Sequence, residues 1–543
     1  MIRILVLGGY GGFGARVVRR LVSNGHDVLV GGRNLAKAKA FCASDPRLTA
    51  MAIDRNQDLR PILQSLRPDI LVDAAGPFQQ SGHAVVDACI DAGIHYLDLA
   101  DGRAFVSGIG QFDERARQAG IVVVSGASSV PALSGAVVRA LADGMDHVSA
   151  IEMAISASNR ATAGASVAAA ILSYVGKPMI LWRGRRPDTG YGWQELRRVQ
   201  IAVTDGPRIK NRFVALADVP DLEFLPDRLP GKPAVSFHAG TELALQNLTL
   251  WAASWLVRWG WLRSLSSIAA LLEPLRRLTT RLGTDRSGMI VSLFGQADDR
   301  RVERRWSLIA SNGDGPEIPA LAVPLLVDTI AAGKINAGAC DAGQLLSLDD
   351  FEPDFRALAI RHERSEIEQP PALYHRVMGS RFNTLPKAVR AIHDVLRDGG
   401  AHGRATVTVG HNPFARLVTR IMGFPSPGDH ELHVHFCEVD GIECWKRSFS
   451  GKRFSSRLRQ RGKQIEERFG PLAFIFDLPS DDRGLTMVMR SWRLGPIPLP
   501  LVFAPRSLAR EWEEDGLFHF DVPIALPLIG MVVHYQGWLR PSR

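Results

Sequence analysis

The chain begins Met1-Ile-Arg-Ile-Leu-Val-Leu-Gly-Gly-Tyr-Gly-Gly-Phe-Gly-Ala15, an apolar run that breaks into glycines and then resumes at helical spacing. Ile2 to Leu7 predict a buried strand, and one helix face follows the glycines, formed by Ala15, Val17, Val18, Leu21 and Val22. The glycines fit the pattern Gly9-x-Gly11-x-x-Gly14, which allows a tight turn, a close approach to a pyrophosphate and close helix–strand packing. The pattern predicts a dinucleotide-binding turn with the anion at the helix N-terminus; the alternative is a plain glycine-rich turn.

Strand and helix patterns alternate after this turn as far as residue 124. We therefore expect a doubly wound α/β domain over residues 1–130, with roughly six parallel strands and the cofactor along their carboxyl ends.

The second strand of this domain ends in Val30-Gly-Gly-Arg-Asn34. An acidic residue here would bind a ribose 2′-hydroxyl, whereas the planar guanidinium of Arg33 suits a 2′-phosphate. The sequence favours NADP over NAD, although Arg33 can equally be a surface residue and Asn34 only a helix N-cap. Asp54, which closes the third strand, is a candidate adenine contact.

Two later loops complete the predicted site. Asp73-Ala-Ala-Gly-Pro-Phe-Gln-Gln-Ser-Gly-His83 offers small residues on which a cofactor can lie, and His95-Tyr-Leu-Asp-Leu-Ala-Asp-Gly-Arg103 places Asp98, Asp101 and Arg103 near the nicotinamide. Asp101 is the catalytic candidate, unless Asp101-Gly102 is an ordinary turn. The predicted cofactor-binding residues are Gly9, Tyr10, Gly11, Gly12, Phe13, Gly14, Arg33, Asn34, Asp54, Ala75, Gly76 and Pro77.

Residues 1–130 resemble the saccharopine dehydrogenase-like NADP-binding family. The likeness rests on the glycine turn with Gly32-Arg-Asn34, on Ala75-Gly-Pro-Phe78, and on His95-Tyr-Leu-Asp-Leu99, and it continues through Ser125 to Gly135. The resemblance implies an NADP-linked oxidoreductase, but it does not imply saccharopine as the substrate.

The remaining chain predicts two further domains. Residues 131–348 predict an α+β substrate-side domain with a small-residue turn at 161–164, and segment 316–345, with a helix from Pro319 to Ala332, is expected to complete the first domain. A charged linker is expected over 349–371. Residues 372–541 predict a mainly antiparallel α+β domain, which resembles an uncharacterised bacterial domain through Leu385-Pro386, Trp445-x-Arg447-x-Phe449 and Phe518-His-Phe-Asp-Val522.

Aromatic and histidine side chains of the C-terminal domain suggest two kinds of site. Its aromatic residues can wrap an apolar ligand or simply form a core: Trp445, Phe474, Phe476, Trp492, Phe518 and Phe520. His433, His435 and Cys437 share one strand face, which is either a zinc site or the polar outer side of a half-buried strand. We favour the second interpretation and predict no metal.

Composition limits the class of protein. The 543 residues have a net charge of +9, a mean hydropathy of +0.00 and 46% hydrophobic residues, which excludes a disordered chain and a multi-span membrane protein. The basic stretch 452–463 lacks a nucleic-acid motif, so we expect no nucleic-acid partner. Five cysteines without a C-x-x-C pair, and no secretory leader, predict a cytoplasmic protein.

Segment 243–282 contains Trp251, Trp255, Trp259 and Trp261 within one predicted helix. Arg258 and Arg263 interrupt it too early for a membrane span. The segment can lie in a membrane interface, where Arg258, Arg263 and three further arginines of the segment, Arg276, Arg277 and Arg281, would meet anionic lipid. Alternatively, the segment is a homodimer contact or the wall of a substrate pocket.

Two functions follow from the sequence. The first is an NADP-dependent oxidoreductase that acts by hydride transfer on a small-molecule substrate, which is bulky, apolar or lipid-like. The second is a non-catalytic protein that senses NADP(H) or carries lipid. A short-chain dehydrogenase is excluded because no tyrosine outside the glycine turn precedes a lysine by four residues.

Overall fold

The first sheet of the computed structural model contains seven parallel strands. The described residues are 1–43, 45–160, 164–265, 279 and 282–542. Strands and helices alternate as β1 Arg3–Leu7, α1 Gly12–Ser23, β2 Asp27–Gly32, α2 Leu35–Cys42, β3 Leu48–Ala52, α3 Arg60–Leu66, β4 Ile70–Asp73, α4 Ala84–Ala92, β5 His95–Asp98, α5 Arg103–Ser107, α6 Asp113–Gln118, β6 Val122–Ser125 and α7 Ser134–Ala142. Six of these strands are ordered 3-2-1-4-5-6, and a seventh from much later in the chain, Gly338–Asp341, pairs with β6.

The middle of the chain forms a mixed seven-stranded sheet. The elements of this part of the chain are β7 His147–Ala157, α8 Gly164–Tyr174, β8 Pro178–Arg183, β9 Arg186–Tyr191, β10 Arg197–Ala202, β11 Arg208–Leu216, α9 Asp221–Arg228, β12 Ala234–Thr241, α10 Ala244–Arg258, β13 Ser287–Ala297, β14 Arg300–Ala310, α11 Ala322–Ala331, β15 Gly338–Asp341, which belongs to the first sheet, α12 Glu352–Ala357 and β16 Ile360–Glu368. The strand order is β10-β11-β12-β7-β13-β14-β16, with β8 and β9 as a separate hairpin. Buried apolar side chains of this sheet and of the first sheet form one continuous core.

The expected linker is partly an edge strand. Residues 360–368 pair with β14 along their whole length, and Arg304 Nε donates to Glu366 Oε2 at 2.9 Å across the pair. The prediction of a linker here was wrong because the charged side chains of this strand meet solvent and the arginines of β14, so no apolar alternation marks it.

The C-terminal sheet closes on itself. Its elements are α13 Leu373–Met378, α14 Lys387–His393, β17 Asp398–Val409, α15 Pro413–Ile421, β18 Gly428–Val439, β19 Ile442–Phe449, β20 Lys452–Arg461, β21 Gln464–Phe469, β22 Leu472–Asp477, β23 Gly484–Leu494, β24 Ile497–Leu499, β25 Leu508–Glu514, β26 Leu517–Leu526 and β27 Gly530–Pro541. Antiparallel pairing runs through ten of these strands and returns from β22 to β23, and β24 is attached to β23. This domain has its own core, so the predicted fold class is confirmed for all three parts.

The C-terminal domain packs against the β8–β9 hairpin. Gly184, in the hairpin turn, donates its N–H to Asp398 Oδ1 at 2.9 Å and accepts a hydrogen bond from His433 Nε2 at 2.9 Å. A Cβ on Gly400 would lie 2.0 Å from the Gly184 carbonyl oxygen, so the two backbones touch directly. The strand face that carries the histidines therefore meets the middle domain.

Candidate functional site

The glycine turn joins β1 to α1. Gly8 has φ +71° and accepts a hydrogen bond from the Gly11 N–H at 2.8 Å, so the left-handed residue of the turn is Gly8, one place before the expected Gly9. Gly9 instead packs closely on Val6 and Val30, and a Cβ on Gly14 would lie 2.2 Å from the Gly8 carbonyl oxygen. Among the residues that the structure describes, no side chain caps α1, whose first-turn N–H groups are available for an anion.

Tyr10 and the end of β2 fit together. The Asn34 N–H donates to the Tyr10 hydroxyl at 3.0 Å, and the Tyr10 ring occupies the space that a side chain on Gly32 would need. The side chain of Asn34 accepts from the Lys37 N–H and so caps α2. Arg33 is exposed, lines the cavity described below and has no side-chain partner in the described part of the chain. At the end of β2, the guanidinium N–H groups of Arg33 are therefore available to bind a ligand.

A buried ion pair that the sequence analysis missed supports the next strand end. Arg55 Nε donates to Asp73 Oδ2 at 2.5 Å, and Asp73, fully buried at the end of β4, accepts the Ala75 N–H through its other oxygen. Burial raises the pKa of the Asp73 carboxyl, and the Arg55 guanidinium opposes this shift. Asp54, beside Arg55, also lines the cavity, with one carboxylate oxygen on the Asn56 N–H.

Of the three polar residues expected near the nicotinamide, the structure brings only Asp101 to the cavity. Asp101 Oδ1 accepts from Gln79 Nε2 at 2.9 Å, and burial raises the pKa of its carboxyl. Asp98 is fully buried, where it accepts two backbone N–H groups and the Ser125 hydroxyl, and burial raises its pKa to about 6. Arg103 is held by Glu223 and Asp218 of the middle domain.

The cavity has a volume of about 770 Å³ and lies between the first and middle sheets. Its first side includes these predicted residues: Tyr10, Gly11, Gly12, Phe13, Arg33, Asp54, Ala75, Gly76, Pro77 and Asp101. Its second side is mainly apolar and comes from the middle domain: Ile155, Ala157, Val167, Ala170, Ile171, Val219, Phe237, Ala239, Met289 and Ile318. Gly9, Gly14 and Asn34 lie outside this lining and shape the turn and helix starts instead.

Tyr174, at the end of α8, is a second residue that the sequence analysis missed. It lines the cavity with Asp218, and burial, aided by the negative charges of Asp101 and Asp218, raises the pKa of its hydroxyl. The hydroxyl therefore stays protonated and can donate a hydrogen bond into the cavity. The cations among the described lining residues are Arg33 and Arg55, both on the first-sheet side.

Comparison with known proteins identifies two parts of the chain. Residues 4–124 match the family model described as the saccharopine dehydrogenase NADP binding domain. This segment is a saccharopine dehydrogenase-type nucleotide-binding domain. The predicted resemblance is confirmed. The prediction that this domain binds a nicotinamide dinucleotide is confirmed as well. Residues 385–539 match a domain of unknown function, DUF4166.

One protein of similar sequence and two solved structures illustrate these similarities. Carboxyaminopropylagmatine dehydrogenase of Synechocystis sp. is 26% identical over 147 residues, which are 25% of this chain; the match spans only 36% of that relative's length. Apo saccharopine dehydrogenase (L-Glu forming) of Saccharomyces cerevisiae covers 67% of this chain and 100% of its own, with 12% identity and a TM-score of 0.48. Homospermidine synthase of Legionella pneumophila in complex with NAD covers 68% and 92%, with 10% identity and a TM-score of 0.45.

The histidine strand of the C-terminal domain is covered. His433 and His435 are 8% and 7% exposed, and His435 Nε2 lies 2.6 Å from Asp398 Oδ2. The expectation that this polar face of the strand meets solvent was wrong, because the β8–β9 turn of the middle domain buries it. No group of three or more metal-ligating side chains occurs within the described ranges. The expected aromatic residues pack on one another inside the closed sheet, with Trp492 at the margin of that core.

The tryptophan segment differs from its prediction. Helix α10 ends at Arg258, and Gly260 has φ +78°, so Trp261 lies beyond the helix. The prediction that one helix carries all four tryptophans was therefore wrong. Arg258 lies 4.0 Å from the Tyr191 ring centre and donates to Gln194, which turns it towards the protein. Residues 161–163 of the predicted small-residue turn at 161–164 and the three arginines at 276, 277 and 281 lie outside the described residues, and Gly164 begins α8. In the part of the chain that is described, no helix has the length and hydropathy to cross a membrane.

Proposed function

We propose that this protein is an NADP-dependent oxidoreductase that transfers a hydride between the nicotinamide and a bulky, apolar small-molecule substrate. One observation carries the proposal: the dinucleotide turn and an apolar wall of the middle domain line the same cavity of about 770 Å³. Such a volume is in the range of ligand pockets, and the cofactor supplies the hydride chemistry when bound.

The preference for NADP rests on Arg33. Arg33 has no side-chain partner among the described residues, so its planar guanidinium can bind a phosphate through two parallel N–H groups, and β2 ends without the carboxylate that would repel a 2′-phosphate. The Arg55 guanidinium is engaged by Asp73, which leaves Arg33 as the phosphate partner.

The apolar substrate rests on the middle-domain wall. Arginine or lysine is the usual partner of a substrate carboxylate, and the cations among the described lining residues lie on the cofactor side. We assign the reacting oxygen of the substrate to the region between Asp101 and Tyr174. Tyr174 orients it as a hydrogen-bond donor, and Asp101, whose raised pKa favours the protonated form, supplies or removes the proton.

The test is a pair of measurements on the full chain. Fluorescence titration with NADPH and NADH is expected to show tighter binding of NADPH, and NADPH oxidation is expected with bulky apolar carbonyl compounds but not with short charged keto acids. Equal affinity for the two dinucleotides contradicts the NADP preference. Tight NADPH binding without turnover of any carbonyl indicates a sensing or carrier protein instead of an enzyme.

A further inference from the structure

Helix α15 of the C-terminal domain presents its large apolar side chains to solvent. Phe414, Leu417 and Ile421 share one face of the helix and are 68%, 54% and 73% exposed. The face that packs on β27 carries the small residues Ala415 and Thr419; the Thr419 hydroxyl donates to the Ala415 carbonyl at 2.8 Å. This orientation is the reverse of an ordinary surface helix, whose apolar face is turned to the core.

Two neighbouring segments extend this apolar surface. Asn412 Nδ2 donates to the Ile529 carbonyl at 3.3 Å, which holds the β26–β27 turn with its fully exposed Leu528 against the start of α15. The backbones of Arg506 and Ala525 exchange two hydrogen bonds, which places the loop before Arg506 beside the same end of β26. We call the combined surface the outer apolar face; it consists of Phe414, Leu417, Ile421, Leu501, Val502, Phe503 and Leu528, each more than half exposed.

The three segments that carry the outer apolar face have charged side chains of one sign. Segments 410–428, 495–508 and 522–533 contain Arg416, Arg420 and Arg506 and no aspartate or glutamate. Arg416 and Arg420 lie along one edge of the apolar face of α15, and neither guanidinium has a hydrogen-bond or ion-pair partner within the described ranges. An apolar face bordered by free arginines is complementary to the boundary between acyl chains and anionic headgroups.

We propose that the outer apolar face docks on the surface of a membrane that contains anionic lipid, with the apolar side chains in the headgroup boundary and the arginines on lipid phosphates. A second copy of the chain fits this face less well. A two-fold interface would bring the arginines of both copies together without any carboxylate from these segments to neutralise them. The proposal depends neither on the proposed reaction nor on the tryptophan segment 243–282.

The test is flotation of the full-length protein with vesicles of phosphatidylcholine alone and with vesicles of equal parts phosphatidylcholine and phosphatidylglycerol. The wild type is expected to float with the anionic vesicles only. The double variant Leu417→Ser/Ile421→Ser removes two exposed side chains and is expected to reduce the bound fraction about tenfold or more. The charge variant Arg416→Glu/Arg420→Glu is expected to lose the preference for phosphatidylglycerol.

A matched control is Leu245→Ser/Leu248→Ser, which removes two exposed leucines of α10 and is expected to float like the wild type. Circular dichroism of each variant checks that the fold is retained. Three results would overturn the proposal: a wild type that stays in the soluble fraction with both vesicles, equal loss of flotation in the control variant, or a dimer that the Leu417→Ser/Ile421→Ser variant converts to monomer while vesicles bind neither form.

Discussion

At the scale of a single residue, the proposed preference for NADP over NAD rests on Arg33. The side chains next to Arg33 make contacts within the fold: Asn34 caps α2, and Tyr10 packs on Gly32. The side chain therefore contributes little to the fold and is free to contribute to binding. A substitution here should change the preference for a cofactor without changing stability.

We expect Arg33→Asp to reverse the preference from NADPH to NADH, because the change removes the phosphate partner and introduces an acceptor for the ribose 2′-hydroxyl. The affinity for NADPH should fall by about tenfold or more, which corresponds to the loss of one charge-assisted contact. Fluorescence titration measures both affinities. Lys39→Asp, the same kind of charge change at an exposed position of α2, is the control and should leave the ratio of the two affinities unchanged.

A second prediction at this scale concerns Asp101. Asp101→Asn keeps an acceptor for Gln79 but removes the ionisable proton of the carboxyl group. We therefore expect kcat to fall about 10²-fold or more while NADPH affinity stays the same. Because burial raises the pKa of Asp101, the protonated acid persists to a higher pH than usual. The wild-type rate of carbonyl reduction should fall as pH rises through this raised pKa. A pH–rate profile of the wild type without this fall, or an active Asp101→Asn variant, would remove Asp101 from the mechanism.

These residues differ in how far the sequence reveals them. The glycine turn and Arg33 follow from a local pattern, since the residues of one turn are contiguous in the chain. Tyr174 reaches the cavity only because α8 of the middle domain forms part of the cavity wall, and Arg55 contacts Asp73 only after β3 and β4 take their places on either side of β1 and β2. Neither relation leaves a mark in the spacing of the sequence.

At the scale of elements, the contact between β1 and α1 depends on Gly14. A methyl group there would lie 2.2 Å from the Gly8 carbonyl oxygen, and backbone on both sides leaves little room for adjustment. We expect Gly14→Ala to lower the free energy of unfolding by about 1–3 kcal/mol, as overpacking does, and to weaken dinucleotide binding. Denaturant unfolding of the unliganded protein measures the first effect.

Gly12→Ala is the matched control for this prediction. Gly12 lies in the same helix, and no atom lies within 4 Å of the place that its Cβ would take. Alanine at this position should leave the stability unchanged or raise it by up to about 1 kcal/mol through helix propensity. Equal stabilities of the two variants would show that the approach of α1 to β1 is less tight than the structure indicates.

Elements were predicted well where apolar and polar residues alternate between a buried and an exposed face. They were predicted poorly where another domain covers the exposed face. The helix spacing placed Trp251 and Trp255 on α10 correctly, but the glycine at position 260 ends the helix before Trp261. Periodicity identified the two faces of β18, yet both are buried because the β8–β9 turn covers the histidine side. Burial by a distant segment is a tertiary property, so a strand pattern alone cannot assign the solvent side.

At the scale of the whole molecule, Glu152 of the middle sheet links two domains. Its carboxylate accepts from Arg197 of the middle domain at 2.7 Å and from Arg397, which precedes β17 of the C-terminal domain, at 2.5 Å. Burial alone would raise the pKa of Glu152, but the two guanidiniums outweigh burial and hold the pKa at about 2. The carboxylate therefore stabilises the contact between the domains while it is ionised.

The last prediction follows from this bridge. The pKa of Glu152 is lower in the folded than in the unfolded protein, so its stabilisation is present above the usual value of 4.5 and is lost as pH falls towards 2. Glu152→Gln should reproduce that loss at neutral pH, at a cost of roughly 2–4 kcal/mol, because two partly buried guanidiniums remain without their carboxylate. It should also loosen the C-terminal domain, so that limited proteolysis cuts faster near Pro370 and denaturant unfolding separates into two transitions. Glu366→Gln, which removes the ion pairs with Arg300 and Arg304 within the middle sheet alone, is the control and should show neither change. If Glu152→Gln unfolds in one transition at the wild-type midpoint, the cohesion between these domains comes instead from other contacts, such as the hydrogen bond of the Gly184 N–H to the Asp398 side chain and the backbone contact of Gly184 with Gly400.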